Sequence, residues 1–81
     1  MANISELTPR ELEILQFVIA GKTNKRIAGE MYISEKTIEF HLNIIYTKIG
    51  VRTRIMAGVW ALQQGLQTEN RIIPDPKAKL A

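Results

Sequence analysis

Apolar residues recur with a helical period in four stretches, and polar residues between them mark starts and stops. The clearest stretch is residues 34–50, SEKTIEFHLNIIYTKIG. Ile38, Leu42, Ile45 and Ile49 follow one another at four, three and four residues and make one buried stripe. Ser34 is a suitable N-cap, because its hydroxyl can accept from an amide of the first turn that has no helical partner. Glu35 suits the positive end of the helix dipole, and Gly50 is the expected stop. The pattern predicts a helix of about four turns, buried along one side.

Three further helices follow from the same logic. Thr8-Pro9-Arg10-Glu11 combines an N-cap, a proline at the first helical position and a capping box. Leu12, Leu15, Val18 and Ile19 supply its apolar stripe, Leu7 can staple onto Leu12, and Gly21 ends it. Thr23 caps a short second helix with Ile27, Ala28 and Met31 on its inner face. Two helices joined by a short connector fit a helix-turn-helix, although the connector lacks the usual turn glycine. Thr53 caps a fourth helix running to Gln64, where Gly65 stops it. Ala57, Trp60 and Ala61 can face the core. Ile55, Met56, Val59 and Leu62 then form a second apolar surface, either an interface or a wider wrap of a small core.

From residue 67 onward the period is lost and Pro74 and Pro76 block a helix. The expected organisation is an all-α, compact four-helix domain over residues 1–66, containing a helix-turn-helix, with a disordered tail over residues 67–81. Eighty-one residues allow one domain with a small core, so helix packing or association must supply stability.

Polar residues on the third predicted helix change the picture. Lys36, Thr37, Glu39, Phe40 and Asn43 lie off its apolar stripe. Lys, Glu and Asn can pair with base edges and Phe can touch a thymine methyl. The plainer alternative is that Phe40 flanks the core and the polar residues are merely exposed. The net charge of +3 is uneven. Residues 1–20 carry Arg10 against Glu6, Glu11 and Glu13. Residues 21–66 carry seven basic side chains against three acidic ones, which suits a phosphate backbone.

Other chemistry is excluded by what the chain lacks. It has no cysteine and one histidine, so neither a disulfide framework nor a multi-histidine metal site can be built, and no metal or cofactor is expected. No catalytic residue stands out. Glu11 reads as a cap, Glu35 and Glu39 lack a partner base, Ser34 reads as a cap, and His41 reads as a packed or phosphate-facing imidazole. No apolar run approaches a membrane span, and the N-terminus lacks a signal-peptide layout, so a non-enzymatic cytoplasmic protein is expected.

Residues 7–66 resemble the LuxR/GerE-type helix-turn-helix domains of bacterial transcription regulators. The resemblance rests on Leu7-Thr8-Pro9-Arg10-Glu11 with Leu15, on Gly21-Lys22-Thr23-Asn24-Lys25, and on Ile27-Ala28. It continues through Ser34-x-x-Thr37-Ile38 with His41, Lys48-Ile49-Gly50-Val51, Arg54, Ala57 and Gly65-Leu66. The resemblance implies sequence-specific double-stranded DNA binding, with the third helix in the major groove. It implies base contacts at Lys36, Glu39, Phe40 and Asn43, and phosphate contacts at Asn24, Lys25, Thr37, Lys48 and Arg54. It also implies a homodimer on an inverted repeat, formed through the fourth helix with Arg52, Ile55, Met56 and Val59. RNA polymerase is a further candidate partner.

Two positions depart from the family pattern. Arg26 stands where an acidic residue is frequent, and Glu39 where a lysine is frequent. Glu39 cannot hold a phosphate but can accept from a cytosine amino group. Alternatively it pairs with Lys36 or Asn43 on the free protein. A module that pairs through the fourth helix without touching DNA would lack the basic residues near Asn24 and Lys48, which this chain keeps.

Overall fold

Each helix begins where a hydroxyl side chain occupies the N-cap, and each is followed by a residue in the left-handed region. The computed structural model describes residues 3–67, and among these the chain forms α-helices and no strand. The helices are α1 (Pro9–Ile19), α2 (Asn24–Met31), α3 (Glu35–Ile49) and α4 (Arg54–Gln63), preceded by a short 3-10 turn at Ile4–Glu6. The expected tail lies, from residue 68 onward, outside the described residues.

The start of α1 is a complete capping box. Glu11 N–H donates to Thr8 Oγ1 at 3.1 Å, and Thr8 N–H donates to Glu11 Oε1 at 2.9 Å. Thr23, Ser34 and Thr53 accept in the same way from Arg26, Thr37 and Met56, each at 3.1 Å. Three of the four left-handed positions are glycines: Gly21, Gly50 and Gly65. The fourth, just past α2, is Tyr32 at φ 60°. Tyr32 thus takes the conformation that a turn glycine would supply. Its own N–H and that of Ile33 both donate to the Ala28 carbonyl, which closes the end of α2. A tyrosine there costs about 1–2 kcal/mol in crowding of its Cβ.

The core gathers Ile14, Leu15, Ile27, Ile38, Ile45, Ala57 and Ala61, all fully buried, with Leu7, Leu42, Ile49 and Trp60 around them. α1 packs against both α4 and α3, and α2 packs against α3. The buried side of α1 therefore differs from the predicted stripe. Ile14 and Phe17 join Leu15 and Val18 inside, whereas Leu12 and Ile19 are only half-buried. A helix covered by two neighbours buries a wider arc than one stripe describes. The stripes predicted for α3 and α4 are those observed: Ile38, Leu42, Ile45 and Ile49, and Ala57, Trp60 and Ala61.

Candidate nucleic-acid interface

The cap at Ser34 sets where α3 begins and thereby which side chains its leading turns project. The Ser34 and Thr37 hydroxyls lie 2.9 Å apart, so Thr37 belongs to the cap as well as to the surface. With Ile38, Leu42 and Ile45 buried, Glu39, Phe40 and Asn43 between them turn outward. Lys36, Glu39, Phe40 and Asn43 are all exposed, and Phe40 keeps 62% of its surface open. The phenyl ring lies edge-on to the half-buried His41, with ring centres 6.0 Å apart. It does not flank the core.

One polar cleft brings four of the expected residues together. Asn24 at the start of α2, Glu39 and Asn43 in mid-α3, and Arg54 at the start of α4 line it with Leu42 and Tyr46. Arg54 is anchored: its guanidinium donates to Asn24 Oδ1 at 2.7 Å and to the Lys22 carbonyl at 2.6 Å. These bonds tie the first turn of α4 to the turn between α1 and α2, across thirty residues of chain. Lys25 lies elsewhere, in a hollow on α2 shared with Thr23, Arg26, Gly29, Glu30 and Tyr32. Arg26 pairs with Glu30 at 3.1 Å on the same exposed face, a contact of modest worth.

Lys48, near the end of α3, is turned toward α1. Its ammonium donates to both carboxylate oxygens of Glu11, at 2.9 and 3.1 Å. Glu11 is thus both cap and counter-ion, and it is the only buried charged residue among those described. Burial pushes its carboxyl up, but bonds from the Thr8 amide and Lys48, with the lysine's charge, outweigh this and hold it below its ordinary value. The Glu11 partnership was invisible in the sequence, where the capping box already accounted for the residue. The Lys22 carbonyl was likewise missed, since backbone acceptors carry no sequence signal.

The expected pairing residues of α4 lie on one outward face. Ile55 is 79% exposed, and Met56, Val59 and Leu62 are each about half open or more. Arg52 is exposed just before the helix. Val51, Ile55, Met56, Val59, Trp60 and Gln63 line a shallow apolar hollow on this side. Among the described residues, no helix is long and apolar enough to cross a membrane, and no cluster of His, Asp and Glu could hold a metal.

This arrangement, a capped helix carried outward on a helix-turn-helix and backed by two others, defines a helix-turn-helix class of domain. Residues 5–61 match the GerE family, described as bacterial regulatory proteins of the luxR family, and the chain belongs to that family. It is 47% identical to the transcriptional regulatory protein LiaR of Bacillus subtilis over 68% of this chain and 26% of that protein. It is 42% identical to the spore germination protein GerE of the same species, over 73% of this chain and 80% of GerE. Among solved structures, the response regulator ChrA of a heme-sensing two-component system superposes with a TM-score of 0.71 at 45% identity, over 74% of this chain and 30% of ChrA. The chain thus spans only about a quarter to a third of the longer relatives LiaR and ChrA.

Proposed function

We propose that this domain binds double-stranded DNA sequence-specifically, with α3 in the major groove, and that it serves a bacterial transcription regulator. The observation that carries this reading is the outward placement of Phe40 and Asn43 on a capped helix, in a chain of the luxR family. A helix of this diameter fits the major groove, where each base pair presents a distinct pattern of donors, acceptors and methyl groups. Lys36, Glu39, Phe40 and Asn43 select bases. Asn24, Lys25, Thr37, Lys48 and Arg54 hold phosphates and fix register without reading sequence. Arg54 does so with the guanidinium hydrogens that Asn24 and the Lys22 carbonyl leave free, and Thr37 as part of the α3 cap, while Lys48 must share its ammonium with Glu11.

The domain acts as a homodimer on an inverted repeat. Its exposed apolar face at Ile55, Met56 and Val59, bordered by Arg52, supports pairing through α4. Two copies double the phosphate contacts, which one small domain needs to bind at physiological salt. Half-sites then lie about one helical turn apart. Such a regulator works on cytoplasmic DNA, and RNA polymerase is its natural further partner.

Selection of duplexes from random sequence, followed by titration of the recovered site and a scrambled duplex over a range of salt, tests this reading. The recovered site binds at least a hundredfold tighter than the scrambled one, and both weaken steeply with salt. Absence of any salt-dependent duplex binding would remove DNA as the partner and favour an adaptor role through α4.

A further inference from the structure

Beyond the four expected base-reading residues, α3 carries a second feature on the same side. Phe40, Asn43, Ile44 and Thr47 are spaced three, four and seven residues from the first, so they share one face of the helix. Together with Lys48 they line a single open hollow of about 290 Å³ on the outer surface. Its polar groups are largely occupied. Thr47 Oγ1 donates to the Asn43 carbonyl at 3.0 Å, so the hydroxyl is satisfied within the helix and the other γ substituent is a methyl. The Lys48 ammonium is held by both Glu11 oxygens, so what this lysine gives the hollow is its hydrocarbon stem. No carboxylate lines the hollow.

We propose that Ile44 and Thr47 extend the base-reading face and, with Phe40, form an apolar seat for the C5-methyl group of a thymine. This rests on the reading of α3 as a major-groove helix. The thymine methyl is the one apolar feature that unmodified base pairs present in that groove. The seat is continuous with Phe40 and Asn43, so a base edge that meets the Asn43 amide lies next to the seat. Asparagine pairs in two places with adenine, so the side chains together favour an A·T-containing step. Ile44 and Thr47 are therefore specificity residues that read no hydrogen bond at all.

The test uses the full chain and the duplex recovered by selection, with each thymine replaced singly by deoxyuridine, which deletes only the methyl. Wild type loses about fourfold in affinity at a thymine facing the seat, the effect of one buried carbon. In Thr47→Ser, which keeps the hydroxyl and its bond to Asn43 but lacks the methyl, the loss at that position falls below twofold. Ile44→Val behaves in the same direction, and the penalty at other thymines is unchanged in both variants. Exchanging that A·T pair for G·C weakens binding, and placing 5-methylcytosine in the exchanged pair restores about fourfold. If the duplex binds but no deoxyuridine changes affinity, or the penalties are identical in wild type and both variants, the seat is overturned while DNA binding stands. If selection recovers no duplex, the DNA reading itself fails and the seat with it.

Discussion

Lys48 on the last turn of α3 places its ammonium 2.9 and 3.1 Å from the two carboxylate oxygens of Glu11 on the first turn of α1, across thirty-seven residues of chain. The same carboxylate accepts from the Thr8 amide, so one buried group closes a helix start and fastens the far end of α3. The last turn of α3 is thus tied to a residue outside the helix-turn-helix. Replacing Glu11 by Gln keeps the shape but removes the charge. It is expected to cost about 2 kcal/mol at neutral pH in urea denaturation, the scale of a hydrogen bond to a charged group. The pH dependence has a definite sign. Because the folded carboxyl is held low, its contribution is present above the unfolded value of about 4.3 and is lost as pH falls through the folded value. Melting temperatures of wild type and Glu11→Gln should converge as pH drops below about 4. A constant gap between them from pH 7 to pH 3 would show that the charge contributes nothing.

Tyr32 holds a left-handed conformation while the residue is 92% exposed, so its strain is not repaid by burial. Asparagine tolerates that conformation, because its short polar side chain bonds locally. Tyr32→Asn should raise stability by about 1 kcal/mol, read as a higher midpoint in thermal unfolding. A lower midpoint would mean that the phenol ring makes a contribution its exposure does not reveal.

Asn43 and Lys25 are proposed to do different work, and substitution should separate them. Asn43→Ala is expected to weaken the selected site by roughly tenfold, equivalent to 1–2 kcal/mol of lost base discrimination, and to leave a scrambled duplex nearly unchanged. Lys25→Ala should weaken both duplexes to a similar extent and lower the magnitude of the salt slope by about one per protomer. Equal losses on the two duplexes for Asn43→Ala would take it off the base-reading face.

Val59 lies at the middle of the exposed face of α4, between Ile55, Met56 and Leu62. A carboxylate there would have to be buried without a partner if two copies pair through this face. Val59→Asp should therefore abolish association in sedimentation velocity and weaken binding to an inverted repeat by on the order of a hundredfold, while a single half-site binds as before. The folded monomer should survive, since Val59 is half-exposed. Unchanged association would move the interface away from α4.

Local order in this protein is written in local sequence. Thr8, Thr23, Ser34 and Thr53 start the helices, and glycines at 21, 50 and 65 follow three of them, because a cap depends on the three or four residues beside it. The stripes of α3 and α4 were legible for the same reason, but that Phe40 and Val59 stay exposed and do not flank or wrap the core was decided by the packed structure. The family pattern added which outward residues to watch. What residue spacing did not contain was how the helices cross. Crossing buries Ile14 and Phe17 on α1, which packs against two neighbours. It turns Lys48 onto Glu11 and fixes Arg54 on Asn24 and the Lys22 carbonyl. These contacts join residues thirty or more positions apart, whose meeting depends on the packing of whole helices and on no periodicity within any one of them.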